Sequence, residues 1–246
     1  RILRKARTTQ TDLETLRNIS FRTPPKVAVV SREEIRKFLE KMVAQEMDSP
    51  EWKAQCLVME HLGVLPRDGS YQQALLEMMA EQVMGCYDDK SDTLLLVNDE
   101  LLVNQAESII AHELTHAYQD QEIDTVGLLD KTRWNDDELM AHKAFLEGEA
   151  TLVQYSYLFH VDLNTLPSMA DTLREAMSME NEKLKALHKA PKLIQELFVF
   201  PYLEGTDLAL SIYKLNEGWA GFRKFHRDLP QSTKQVLHLD RYFGAT

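Results

Sequence analysis

The sequence predicts a mainly helical α+β protein with a small antiparallel sheet beside one buried helix. Glycine and proline are few, nine and eight among 246 residues, which favours long helices joined by short loops. Apolar residues recur at helical spacing through most of the chain, whereas apolar runs of strand length are confined to two regions. We therefore expect one domain over 1–246, with an N-terminal extension at 1–25, the sheet and central helices at 26–160, and a helical part at 161–246.

Start and stop signals place the individual elements. Val83–Asp88 and Asp92–Val97 flank the turn-rich Asp89-Lys90-Ser91, which predicts a hairpin, and the β-branched run Lys26–Val30 predicts another strand. Gly127–Arg133 is predicted to be a loop. Helices are predicted at Asp12–Ile19, Ser31–Gln45, Ser49–Leu62 and Ser70–Met84, after an N-cap pair of Asn104 and Glu107, and at Asn135–Phe159, Ser168–Ala190, Leu193–Phe200, Gly205–Leu215 and Gly218–Phe225.

The stretch Ser108–Gln121 carries the pattern on which the functional prediction depends. It contains His112-Glu113-Leu-Thr-His116, the H-E-x-x-H spacing of zinc peptidases. Residues four apart lie one above the other on a helix, so both imidazoles leave one face at a separation that suits a single metal ion. Glu113 can then take a proton from a water molecule on that metal. Two surface histidines on an ordinary helix are the alternative.

The neighbours of the motif favour the metal site. Ionisable side chains on a buried helix are unfavourable unless they are paired or bind a metal, and apolar residues on nearly all sides are typical of a buried helix. The apolar neighbours are Ile109, Ile110, Ala111, Leu114, Ala117 and Tyr118.

A zinc site of this kind needs a third protein ligand and keeps one position open. The segment Phe145–Leu152, inside a later predicted helix, places Glu147 and Glu149 on either side of Gly148. Glycine inside a helix is unfavourable by about 1 kcal/mol relative to alanine. Gly148 therefore predicts close packing against another helix, which we expect to be the motif helix.

His-Glu-Leu-Thr-His followed by a helix with Glu-Gly-x-Ala resembles the gluzincin metallopeptidases. These include the thermolysin-like proteases and the aminopeptidases whose third ligand lies in Asn-Glu-Gly-Phe-Ala. The resemblance implies a zincin-like core that holds Zn²⁺ through His112, His116 and Glu147. Glu149 and His142 are the alternatives to Glu147, although a helix directs each of them away from it. Thr151, one turn beyond Glu147, is a candidate to orient a ligand.

The resemblance covers roughly residues 26 to 243. Four segments occur in the same order in a family of largely uncharacterised prokaryotic proteins classed as gluzincin-like peptidases. The chain departs from the family pattern at Lys234 and Leu239, where Glu and Pro would stand, and this concerns the C-terminal segment rather than the zinc site. The four segments are Glu81–Asp89, His112–Gln121, Phe145–Val153 and Ser232–Tyr242.

Motif and resemblance together predict zinc-dependent hydrolysis of a peptide bond, with Glu113 as the general base. A His or Tyr from the C-terminal part would stabilise the tetrahedral oxyanion. His238 is the preferred donor because it lies in the family-like C-terminal stretch; Tyr202, His226 and Tyr242 are the alternatives. In zinc peptidases a short sheet ahead of the motif helix commonly offers an edge strand to the substrate. Leu94–Val97 is assigned that role, with a plain core strand as the alternative.

Two other interpretations are compatible with the same sequence features. The first is a catalytically inactive or non-proteolytic zinc scaffold that binds a protein or an envelope partner. The second is a purely structural helical domain in which the motif is accidental. Zinc retained without peptide cleavage would favour the first, and a protein that binds no zinc would favour the second.

Charge and composition limit the partners. The net charge of −11 argues against nucleic acid and anionic membrane surfaces and leaves a peptide or protein substrate. No apolar run reaches the roughly 18 residues of a membrane span. The chain begins at Arg1 rather than Met, which favours an exported or cell-envelope protein whose signal segment has been removed. Cys56 and Cys86 form no C-x-x-C pair and are expected to be free thiols. The oligomeric state is not predicted.

Overall fold

A computed structural model describes residues 2–97, 105–178, 185–215 and 218–244. The fold is mainly helical with a three-stranded sheet, which confirms the predicted α+β class. The elements are α1 (Ile2–Arg17), β1 (Lys26–Val30), α2 (Arg32–Met47), α3 (Pro50–His61), α4 (Ser70–Gln82), β2 (Gly85–Asp88), β3 (Thr93–Val97), α5 (Ala106–Ile123), α6 (Thr125–Thr132), α7 (Asp136–Phe159), α8 (Ala170–Ser178), α9 (Lys185–Lys189), α10 (Lys192–Leu215), α11 (Phe222–Phe225), α12 (Thr233–Leu237) and α13 (Leu239–Phe243).

The sheet is mixed, so the prediction of an antiparallel sheet is wrong in one strand pair. The hairpin of β2 and β3 is antiparallel as expected, but β1 pairs with β3 in parallel, with Lys26 opposite Thr93. Parallel neighbours need a long crossover, and the three helices α2, α3 and α4 provide it. The strand order is β1-β3-β2, which makes β3 the central strand. The edge-strand role assigned to Leu94–Val97 is therefore wrong, and β2 is an edge strand instead.

Helix α5 lies in the middle of the fold. Its apolar residues are buried on several faces, because α1, α7 and β2 all pack against it. Complete burial of one such side chain stabilises the folded state by about 1.5–3 kcal/mol. The helix is consequently a rigid support for the polar residues that it carries. Its fully or almost fully buried apolar residues include Ile110, Ala111, Leu114, Ala117 and Tyr118.

Helices α7 and α10 cross with their backbones in contact at two glycines. A Cβ atom on Gly148 would lie 2.0 Å from the carbonyl oxygen of Gly205, and a Cβ on Gly205 would lie 2.0 Å from that of Ala144. Close packing at Gly148 is therefore present. The neighbour is α10, so the prediction that it would be the motif helix is wrong. A side chain at either position would force the two helices apart.

Helix α10 is continuous, whereas the sequence predicted two helices separated at residues 201–204. Pro201 and Gly205 are both buried inside it. Proline and glycine weaken an isolated helix, but packing against α7 holds this region in helical conformation. Tertiary contacts therefore override local propensity here.

Three further predictions are altered. Residues 127–132 are helical in α6, because the side chain of Asp124 accepts a hydrogen bond from the backbone N–H of Gly127 and caps the helix. Helix α1 begins at Ile2, well before the predicted start at Asp12. The predicted helix Ser168–Ala190 is represented by α8 and α9, and residues 179–184 between them lie outside the described part. Asn104 also lies outside it.

Two compositional expectations can be compared with the described part of the chain. Cys56 and Cys86 are free thiols, as expected. In the residues that the structure describes, no helix combines the length and apolar character that crossing a membrane requires.

Candidate metal centre

Helix α5 presents His112 and His116 one turn apart on one face. Their Nε2 atoms are 3.1 Å apart and their rings meet edge to face, with centroids 4.8 Å apart. Both side chains are largely buried, with 11% and 21% of their surface exposed. The predicted pairing of the two imidazoles by helical spacing is therefore present.

Helix α7 brings Glu147 to the same point. Its Oε2 atom lies 3.4 Å from Nε2 of His112 and 3.5 Å from Nε2 of His116. This oxygen is buried and has no hydrogen-bond partner among the described residues. Ligands of a tetrahedral zinc, at bond lengths near 2.0–2.1 Å, are separated by about 3.4 Å. Within the described residues these three side chains form a cluster that could hold a metal ion.

The charges around the cluster favour a cation between the three atoms. Burial by itself would raise the pKa of Glu147, but the rings of His116 and His112 outweigh it and hold that pKa well below its usual range. Burial would likewise lower the pKa of His116, but the Glu147 carboxylate outweighs it and raises that pKa to about 9. In the metal-free protein a ring proton thus supplies positive charge, and a metal ion must displace it.

Glu113 lies beside the cluster but belongs to the wall of a cavity. Its Oε2 accepts a hydrogen bond of 2.9 Å from the backbone N–H of Tyr87 in the edge strand β2. Strand β2 passes very close, since a Cβ on Gly85 would lie 3.3 Å from Cγ of Glu113. The carboxylate is consequently held in place by the sheet rather than by the metal ligands.

The cavity has a volume of about 410 Å³ and reaches His112 and Glu113. Its wall is mostly apolar. Tyr202 contributes a phenol close to the carboxylates of Glu147 and Glu113. Burial, together with the carboxylates of Glu147 and Glu113, raises the pKa of Tyr202 well above its ordinary value, so the phenol keeps its proton. The apolar lining residues are Leu39, Met79, Val83, Met84, Ile109, Leu173, Phe198 and Leu203.

The structure separates the four residues considered as oxyanion donors. Tyr202 is the one among them that lines the cavity. His238, the preferred donor in the sequence analysis, is exposed between α12 and α13. Tyr242 donates to the carbonyl oxygen of Asp228, and His226 is buried against Glu149. Helix geometry could not rank these residues in advance, because each lies far along the chain from the motif.

The alternative third ligands, and the residue predicted to orient a ligand, do not belong to the cluster. His142 is buried outside the cluster, and burial lowers its pKa. Thr151 lines the cavity, but its hydroxyl has no hydrogen-bond partner in the described structure, so it does not orient a ligand there. Glu149 is completely buried on a different face of α7 from Glu147.

Glu149 forms a network that sequence reasoning missed. It accepts hydrogen bonds from Gln119, Arg17 and His226. Burial would raise the pKa of Glu149, but His226 and Arg17 outweigh it and lower that pKa to about 2. The position of Gln119, three residues after His116 and so on the same side of the helix, was a usable signal. Arg17 gave none, because it comes from the distant helix α1.

No family model, curated protein sequence or solved structure matches this chain. The resemblance to gluzincins therefore remains a prediction from the motif and its neighbours.

Glu147→Ala should reduce the affinity for a divalent metal far more than His142→Ala, because it removes one of three ligand atoms. Removal of a ligand should weaken binding by more than the roughly 10- to 100-fold that outer residues contribute. The measurement is a competition titration with a chromogenic chelator, using zinc or cobalt. Equal affinities for the two variants would contradict the assignment of Glu147.

Proposed function

We propose that this protein is a zinc metallopeptidase whose metal is held by His112, His116 and Glu147. The observation that carries the proposal is the buried oxygen of Glu147, which has no hydrogen bond to the described residues and lies 3.4 and 3.5 Å from the two Nε2 atoms. Two imidazoles and one carboxylate form a ligand set that zinc uses in catalytic sites with one open position. Glu113, beside that set and at the cavity wall, supplies the acid–base group that hydrolysis requires.

His112, His116 and Glu147 would hold the zinc ion, which would supply the Lewis acidity that activates water and polarises a carbonyl group. The work of the protein's own side chains can be assigned from their positions. Glu113 accepts the proton of the attacking water and passes it to the leaving amine. Its bond to the backbone of Tyr87 keeps the carboxylate pointed at the cavity. Tyr202 donates a hydrogen bond to the developing oxyanion.

The same geometry suggests how a peptide binds. Strand β2 is an edge strand, and in its pairing with β3 the residues Gly85 and Tyr87 direct their backbone groups away from that partner. The N–H of Tyr87 already donates to Glu113, so an extended peptide can add to this edge through the other outward backbone groups. Gly85 lets the strand run close to Glu113, so the added peptide passes by the cluster. The apolar cavity accepts a large apolar side chain of that peptide.

A peptide pool incubated with the zinc-loaded protein tests this function. We expect cleavage next to large apolar residues, detected by mass spectrometry, because the cavity beside Glu113 is apolar. A chelator should stop cleavage and added zinc should restore it. Protein that binds zinc but cleaves nothing would overturn the proposal and favour the non-proteolytic scaffold.

A further inference from the structure

Gln119 connects the metal cluster to the buried carboxylate of Glu149. Its Oε1 atom lies 2.9 Å from Nδ1 of His116. Its Nε2 atom lies 3.0 Å from the carbonyl oxygen of Leu146 and 2.8 Å from Oε2 of Glu149. Gln119 is completely buried, so these contacts are not shared with bulk solvent.

The hydrogen-bonding capacity of the partners fixes the direction of each bond. A backbone carbonyl and a carboxylate only accept hydrogen bonds. The NH₂ group of Gln119 must therefore face Leu146 and Glu149, and its carbonyl oxygen must face His116. Nδ1 of His116 consequently carries a proton whatever the charge of the ring, so Nε2, on the side of Glu147, is the nitrogen that gives up its proton to a metal. The ring that results is the tautomer that binds a metal through Nε2.

Glu149 is itself held from two further sides. His226 lies with Nε2 at 2.8 Å from Oε2, and Arg17 donates to Oε1. The side chains of Arg17 and Glu149 are 1% and 0% exposed. The guanidinium carbon of Arg17 also lies 5.3–5.8 Å from the centroids of three aromatic rings, those of Tyr118, Trp219 and Phe222.

Buried charges of this kind are unfavourable relative to well-packed apolar residues of similar volume. A role in packing alone would therefore be met better by apolar side chains. The network instead ends on the ring of His116, at the nitrogen opposite the ligand atom Nε2. His112 offers a contrast within the same site, since its Nδ1 is buried and has no hydrogen-bond partner in the part of the chain that the structure describes.

We propose that Gln119 is a positioning residue for the metal ligand His116, and that Glu149, held by Arg17, fixes the orientation of Gln119. The inference rests on the proposed function only in requiring that the cluster binds metal, not that it cleaves peptides. It makes helix α1 part of the metal centre, because Arg17 is the last residue of that helix. Docking of α1 and geometry at His116 are thereby coupled.

Cobalt binding tests the positioning role without an activity assay. Gln119→Met keeps the length of the side chain and removes all three hydrogen bonds. It should weaken cobalt affinity by about 10- to 100-fold and change the visible absorption of the bound cobalt. Ser108→Ala is the matched control, because it removes one hydrogen bond from the same helix, that to the carbonyl of Gln105. The control should retain wild-type affinity and spectrum.

Two substitutions of Arg17 test its part in the network. Arg17→Met should weaken cobalt affinity in the same direction, and Arg17→Lys, which keeps the charge, should recover part of the loss. Unchanged affinity and spectrum in Gln119→Met would overturn the proposal even if peptide cleavage is normal. If wild type binds cobalt but cleaves no peptide, while Gln119→Met loses affinity, the peptidase proposal alone fails.

A measurement on the wild type covers the case in which the variants do not fold. In the zinc-loaded protein, nitrogen-15 NMR of the histidine rings should show a proton on Nδ1 of His116 that exchanges slowly with water. Rapid exchange of that proton would overturn the proposal. Wild type that binds neither zinc nor cobalt would overturn it together with the metal centre.

Discussion

Glu113→Gln is expected to lower peptide turnover by 10²- to 10⁴-fold or more, while the fold and the metal content stay as in the wild type. The substitution is nearly isosteric and changes no metal ligand. It removes the group that accepts the proton of the attacking water. The amide oxygen of glutamine can still accept the hydrogen bond from the backbone N–H of Tyr87, so the side chain should stay in place. Turnover on a cleaved peptide, with zinc content measured in parallel, checks the result.

Two companion variants make the result specific. Tyr202→Phe should lower turnover by roughly 10²- to 10³-fold with zinc retained, the range found when one oxyanion donor is removed. His238→Ala should leave turnover unchanged, because His238 is exposed and does not line the cavity. Wild-type turnover in Glu113→Gln would contradict the mechanism. Loss of turnover in His238→Ala, with Tyr202→Phe fully active, would return the oxyanion role to His238.

The part of the site that lies within one helix could be predicted because its geometry is local. The spacing of His112 and His116 fixes their directions once the segment is helical, and the apolar neighbours make helix α5 buried. Glu147 was predicted as the third ligand by analogy with Glu-Gly-x-Ala segments, and α7 does bring it to the two rings. These inferences need no knowledge of how distant segments pack.

The features that sequence reasoning missed depend on packing between distant segments. The parallel pairing of β1 with β3 depends on how three intervening helices return the chain, and no pattern within the strands encodes it. Tyr202 was one of four predicted donors but not the preferred one, because its place at the cavity depends on how α10 crosses α7 at Gly148 and Gly205. The bond between Arg17 and Glu149 joins residues 132 positions apart, and an arginine near the end of a helix is ordinarily solvated.

Gly148→Ala is expected to have the largest effect on stability. The added Cβ would lie 2.0 Å from the carbonyl oxygen and 2.1 Å from the carbonyl carbon of Gly205. Both are backbone atoms, so no side-chain rotation relieves the overlap and the helices α7 and α10 must separate. Overpacking of a core costs typically 1–3 kcal/mol, and a backbone obstacle places this case at the upper end. Alanine recovers about 1 kcal/mol of helix propensity, which leaves a net loss of about 2 kcal/mol.

Urea unfolding followed by circular dichroism measures this loss as a lower midpoint at an unchanged slope. Gly205→Ala should cost a similar amount, and the double variant should cost less than the sum, because helices already forced apart accommodate the second methyl group. Gly127→Ala is the comparison in which the loss should be smaller, since the nearest atoms to its Cβ belong to the side chain of Asp124, which can rotate away and lose only the cap of α6, about 1 kcal/mol. Turnover should fall in Gly148→Ala as well, because the same crossing holds Tyr202 near Glu147. Wild-type stability in Gly148→Ala would show that α7 and α10 do not cross with their backbones in contact.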